Sequence, residues 1–168
     1  DYTTGQEGLI LQASTENEAL GTLLVQQSRS PNYDISAVID LTQTGADAEG
    51  GGALIGGADN SFGAPVAGIG ISADQESVKV WRTVNQQTEL LGETTISAEQ
   101  AEVPLRMKVR DGYKLTFETE KGGSWSTVAE NVDASPLVPW GMGFRFGMVA
   151  KGEPSENVNF KQFDLTNY

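Results

Sequence analysis

Neither cysteine nor histidine occurs anywhere in the 168 residues, and 11 basic side chains stand against 23 acidic ones, a formal charge of −12. The two missing residue types remove whole classes of chemistry. Without them there is no Ser-His-Asp or Cys-His nucleophile, no disulfide framework, and no zinc, haem or iron–sulfur site of the usual ligand sets. The shortage of positive charge works against phosphate backbones and anionic lipid, so nucleic acid and membrane surfaces are disfavoured as partners. No uncharged apolar run approaches the roughly 18 residues that a membrane span requires. What remains for function is chiefly carboxylates, amides, carbonyls and aromatic rings, a set suited to neutral sugars and hard cations.

A chain of this size buries about 70% of its unfolded surface and needs no metal or disulfide staple, so residues 1–168 are expected to form one domain. The first residue is Asp1 rather than Met, and no charged-then-apolar leader follows it. That points to a removed signal or to excision from a longer chain with a catalytic domain, and to a secreted, periplasmic or cell-surface location.

Helical patterning is scarce as well. Short alternating runs separated by turn residues read as strands over Gly8–Ala13, Thr22–Gln27, Tyr33–Leu41, Ala53–Gly57, Val66–Ile71, Val78–Val84, Glu89–Thr95, Leu105–Arg110, Tyr113–Thr119, Trp125–Ala129, Phe144–Ala150 and Val158–Leu165. The one helix-like stretch, Ser97–Glu102, carries a capping-box pair in Ser97 and Gln100, but Pro104 leaves room for barely a turn. There is no internal repeat of the roughly 20–50 residues that would mark a solenoid or propeller. About twelve strands without helices predict an all-β, two-sheet antiparallel sandwich.

One hairpin is readable in detail. The apolar sets Leu105, Met107, Val109 and Tyr113, Leu115, Phe117 must share a face. The predicted pairs are therefore Val109–Tyr113, Met107–Leu115 and Leu105–Phe117, around a loop Arg110-Asp111-Gly112 read as a type I turn plus a bulge. The same placement puts a basic stripe, Arg106, Lys108, Arg110 and Lys114, on the solvent face beside Glu118 and Glu120. It reads as a mixed-charge solubilising surface rather than a polyanion site.

Candidate chemistry is sparse. The glycine-rich segment from Glu49 to Asn60 contains neither GxGxxG nor GK[ST], so it reads as flexible strand ends at a crossover and not as a phosphate cradle. Two carboxylates about 5.5 Å apart suffice for a retaining glycosidase. The ExDxxE or ExDxE strings of retaining sandwich glycosidases are absent, however, which leaves catalysis by this chain alone unsupported. Asp47, Glu49 and Asp59, with Asn60, flank the glycine-rich strand, and Asp164 lies where the last strand closes against the first; these are candidate ligands of a structural Ca²⁺, against solvated turn acids. A pyranose stacks its C–H face on an aromatic ring. Trp81 alternates with inward valines and is expected on an outer or groove face, Trp125 is expected in the core beside the hairpin, and Trp140 and Phe144 flank the turn Gly141-Met142-Gly143 at one end.

These segments carry a resemblance. GLILQ at 8–12, LLVQQ at 23–27 and YDISAVID at 33–40 look like the opening of the C-terminal β-sandwich of family 43 β-xylosidases. PLRMKV at 104–109, GYKLTFET at 112–119, GSW at 123–125 and VDAS at 132–135 resemble its middle, and FRFGMVA at 144–150 and NFKQFDL at 159–165 resemble its close. The resemblance implies a concanavalin A-like jelly roll that accompanies a separate propeller carrying the catalytic acids. It also implies that Trp140 or Phe144, in the loop before the penultimate strand, reaches the propeller's active-site rim. Where the family has a basic residue after its LL.Q string this chain has Gln27, with Arg29 two positions on; GALIG at 52–56 lacks the family's tyrosine.

The expectation is a non-catalytic carbohydrate-associated module. It would bind a neutral, xylan-type polysaccharide or complete the active site of a partner glycoside hydrolase of β-xylosidase or arabinofuranosidase type, with Trp81, Trp140, Phe144 and Arg29 as candidate sugar contacts. The alternatives are a stand-alone glycan-cleaving sandwich using carboxylates and a structural surface or spacer domain.

Overall fold

Alternation of apolar and polar residues becomes two stacked sheets. The computed structural model describes residues 1–5, 8–15, 20–27, 29–56, 65–137 and 144–168. Among them are thirteen strands: β1 (Tyr2–Gly5), β2 (Gly8–Gln12), β3 (Thr22–Gln27), β4 (Tyr33–Asp40), β5 (Glu49–Ile55), β6 (Val66–Ile71), β7 (Ser77–Val84), β8 (Gln87–Thr95), β9 (Glu102–Arg110), β10 (Lys114–Lys121), β11 (Ser124–Asp133), β12 (Arg145–Lys151) and β13 (Asn157–Asn167). The helix-like segment before β9 is a turn, closed by the Gln100 N–H donating to the Ser97 carbonyl at 2.9 Å. Seven strands form one antiparallel sheet in the order β1-β2-β13-β4-β9-β10-β11, and five form the other in the order β12-β5-β6-β7-β8. β3 runs beside β12, with the Leu24 carbonyl against Gly147. β13 pairs with both β2 and β4, so the last strand does close against the first strands of the chain.

Inward-facing side chains of both sheets make the main core. β4 supplies Tyr33, Ile35, Ala37 and Ile39, and β9 supplies Val103, Leu105, Met107 and Val109; Leu54, Ile69, Val80 and Phe146 answer from the other sheet. The Tyr33 and Phe146 rings meet across the interface with centroids 5.4 Å apart. Each large side chain buried this way contributes roughly 1.5–3 kcal/mol relative to exposure. Gly50, Gly51 and Gly52, read as loose strand ends, are instead buried inside β5 and paired with β6 and β12 on either side.

The β9–β10 hairpin corrects the expected register by two residues. Leu115 faces Val109 and Phe117 faces Met107, so the predicted apolar residues do share the inward face. The loop is Asp111-Gly112-Tyr113, with Arg110 opposite Lys114. Asp111 and Gly112 both have positive φ, 53° and 79°, and the Tyr113 N–H donates to the Arg110 carbonyl at 3.1 Å. Left-handed residues at both central positions belong to a type I′ turn rather than type I. Tyr113 follows as an extra residue with its ring turned out, 41% exposed. The loop is held from outside the hairpin: Gly112 N–H donates to the Pro31 carbonyl at 2.7 Å, Asp111 N–H to Asn32 Oδ1 at 2.9 Å, and the Tyr113 carbonyl accepts from Ala134 N–H at 2.8 Å.

Candidate functional site

The outer face of the five-stranded sheet is built around Trp81. On β7, Val78 and Val80 point into the core while Lys79, Trp81 and Thr83 point away from it. Trp81 sits opposite Gly68 on β6, Gly68 opposite Ala53 on β5, and Ala53 opposite Gly147 on β12. This row of small residues lets the indole lie against backbone: a Cβ on Gly68 would come within 2.6 Å of Cζ2 of the ring. Leu20, Ala53, Ile55, Val66 and Val149, with Leu23 and Val25, close a second apolar cluster around it, separate from the main core. The Trp81 Nε1–H is buried there with no acceptor among the described residues, an arrangement that costs about 1–3 kcal/mol.

The outer face of the seven-stranded sheet is charged, and it holds Trp125, which is 38% exposed and not in the core. Strict alternation from the inward Ala129 sends Trp125 inward. The β10–β11 ladder shifts register on both sides of Phe117, so that Ala129 faces Phe117 but Thr127 faces Glu118. The extra residue, Val128, reverses the side on which everything after it toward the hairpin tip points. Trp125 therefore lies with Glu118 and Glu120, and the Arg106 guanidinium stacks on its ring at 4.0 Å. Arg106 donates from Nε and Nη2 to Glu118 Oε2 at 2.7 and 2.6 Å, and Lys108 Nζ donates to Oε1 at 2.9 Å. The Glu118 side chain is only 10% exposed. The stripe expected to be solvated is thus a linked array, continued by the Arg110–Asp34 ion pair at 2.7 Å and the Lys114–Asp111 pair at 2.7 Å.

The remaining predicted residues scatter. Phe144 is a core residue, 8% exposed, so its ring is not free to meet a sugar. Trp140 and Asp59 lie outside the described residues. Arg29 is exposed between β3 and β4. Glu49 pairs with Lys151 at 3.4 Å on the five-stranded sheet, Asp47 is exposed in the turn before it, and Asp164 projects from the outer face of the other sheet, bonded to Gln162. Glu49 and Asp164, placed together as candidate Ca²⁺ ligands, are on opposite outsides of the sandwich. Among the described residues no group of three or more acidic side chains is placed to hold a metal ion. A cleft of about 610 Å³ at one end is lined by Leu41, Gln75, Thr95, Ile96 and Ser97 among others, without an aromatic ring. Beside it the Asp74 carboxyl is held below the usual carboxylate range, first by the Ser72 hydroxyl at 2.5 Å and then by the Glu76 N–H at 3.1 Å.

Two packed antiparallel sheets of seven and five strands, with the last strand inserted between β2 and β4, define a concanavalin A-like β-sandwich. Residues 6–168 match the family described as the β-xylosidase C-terminal concanavalin A-like domain, and the chain belongs to that family. Solved structures share the fold. The GH43 BlXynB protein from Bacillus licheniformis is 16% identical over 100% of this chain and 35% of its own, with a TM-score of 0.80. Xylan β-1,4-xylosidase from Bacillus halodurans C-125 is 11% identical over 95% of this chain and 33% of its own, at 0.75. Sheep galectin-11 is 9% identical over 88% of this chain and 99% of its own, at 0.54. The chain spans about a third of the length of the two bacterial proteins. No curated relative matches it.

Proposed function

We propose that this domain is the non-catalytic, carbohydrate-associated part of a family 43 glycoside hydrolase of β-xylosidase or arabinofuranosidase type, and that it holds a catalytic partner domain on a neutral, xylan-type polysaccharide outside the cytoplasm. The observation that carries this reading is the match of residues 6–168 to a domain family of β-xylosidases, together with the third of each matched bacterial chain that it covers. The remaining two thirds of such an enzyme would hold the catalytic acids. The expected result with the 168-residue chain is retention on insoluble xylan with no release of reducing sugar. Sugar released by this chain alone would overturn the reading.

A second role, docking on the catalytic domain so as to complete its active site, is favoured by the outer face of the five-stranded sheet. Its separate apolar cluster and the exposed Leu90, opposite Trp81 on β8, would be covered by a partner surface. Sedimentation of this chain mixed with a family 43 catalytic domain tests it: a 1:1 complex weakened by Leu90→Asp is expected. Identical complexes with and without that substitution would remove this role.

A further inference from the structure

Aromatic rings and cations pair repeatedly along the outer side of β9–β11. Arg106 lies over Trp125 at 4.0 Å, Arg110 over Tyr168 at 5.0 Å and Lys114 over Tyr113 at 5.7 Å. Trp125 is the anchor of this surface. It stands on an edge strand between Ser124 and Ser126, residues too small to screen it. Beneath it, one carboxylate, Glu118, is shared by Arg106 and Lys108. Such a triad is a poor stability device: the nearly buried carboxylate loses hydration that its two partly exposed partners do little more than offset. Its effect is to lock a guanidinium under an exposed indole and to leave unused N–H donors on Arg106 and Lys108 pointing into a rigid frame.

We propose that this face, centred on Trp125, Arg106 and Glu118, binds a neutral glycan, the sugar stacking on the indole surface that Arg106 leaves exposed and its hydroxyls meeting the free donors of Arg106 and Lys108. The assignment rests on the glycan-binding reading above and names the surface that carries it. Charge favours a neutral ligand. Arg106 and Lys108 share Glu118, with Glu120 on the same face to balance the remaining charge, while Arg110 pairs with Asp34 and Lys114 with Asp111, so an ionic partner would have to break pairs already made. A polyhydroxylated ring asks only for an apolar face and hydrogen bonds. Because the side chains are already fixed, little rotamer freedom is lost on binding. The row Thr127, Glu118, Arg106, Ser36 and Asp164 crosses five neighbouring strands. At about 4.8 Å per strand it extends roughly 19 Å, enough for an oligosaccharide rather than one sugar.

The test is a titration of the ¹⁵N-labelled chain with xylohexaose, cellohexaose and, as a charged control, polygalacturonate, read by NMR and calorimetry. The expected result is movement of the Trp125 indole N–H resonance with a neutral oligosaccharide and not that of Trp81. Trp125→Ala, at an exposed position, should lower affinity at least about tenfold, and Trp81→Phe less than about twofold. Neutral-glycan binding that leaves the Trp125 resonance still and survives Trp125→Ala overturns the assignment while the proposed function stands. No binding of either neutral oligosaccharide by the unsubstituted chain overturns both. Preference for polygalacturonate, lost in salt, overturns the neutral ligand.

Discussion

The two outer faces of the sandwich each carry one tryptophan, and they use it in opposite ways. Trp81 is sunk onto a row of glycines and alanine, ringed by aliphatic side chains, its N–H sealed off from water. Trp125 rises from a row of charges, with a guanidinium beneath it and solvent above. What lies opposite in the neighbouring strand decides the difference. A glycine partner leaves a hollow that an indole fills, whereas an arginine or glutamate partner fills the space and lifts the ring into water. An exposed ring on a rigid polar base is open to a ligand, whereas a sunken one is chiefly packing.

Perturbations of one face should not mimic those of the other. The largest stability effect is expected from Trp81→Ala: it empties the second apolar cluster and should cost about 3 kcal/mol, read from urea unfolding, with glycan affinity unchanged. Gly68→Val attacks the same contact from below. Its side chain would meet the ring at 2.6 Å, and a loss of about 1–3 kcal/mol is expected. Glu118→Ala on the opposite sheet leaves Arg106 and Lys108 without their shared carboxylate; it should cost about 1–2 kcal/mol and also loosen the Trp125 indole resonance. Trp125→Ala should cost about 1 kcal/mol, less than Trp81→Ala, because part of its ring already meets solvent, yet lower sugar affinity at least about tenfold. If the two tryptophan-to-alanine variants proved equally destabilising, the contrast between the faces would fail.

The smallest effect is one of pH, at a site on neither face. The Asp74 carboxyl has its folded pKa depressed by the Ser72 hydroxyl and the Glu76 N–H. Its contribution is therefore present above the unfolded value, about 3.9, and is lost as pH falls through the lower folded value. Asp74→Asn should flatten the acid limb of a urea-midpoint profile below about pH 4 and leave the neutral region parallel to that of the unsubstituted chain.

Strand existence and the side each residue takes were readable wherever alternation runs unbroken. Tyr33 to Ile39 on β4 and Val103 to Val109 on β9 lie inward as their period demands. Reading failed where a residue is added to the ladder. The extra Val128 in β11 turned Trp125 outward, and the extra Tyr113 after the type I′ turn moved the hairpin register. The hairpin insertion is held by distant segments, with Pro31, Asn32 and Ala134 bonding to the loop, and the Val128 insertion shows only in the pairing of β11 with β10. Phe144 was misread for a related reason. Its apolar ring beside a glycine-rich turn is equally compatible with a rim and with a core, and the burial of β12 against the facing sheet chose the core.

The shortages of cysteine, histidine and positive charge, with a period of two along nearly every segment, were sufficient for an all-β sandwich without metal-thiolate or histidine chemistry, because they act locally or as a sum. Which outward residues sink into a second cluster, and which stand over a buried ion pair, came from pairing between strands far apart in the chain. Glycine opposite Trp81 and arginine under Trp125 are neighbours across the sheet and not along it. Cross-strand register, the quantity that alternation leaves undetermined by steps of two and that bulges shift by one, set the character of both faces.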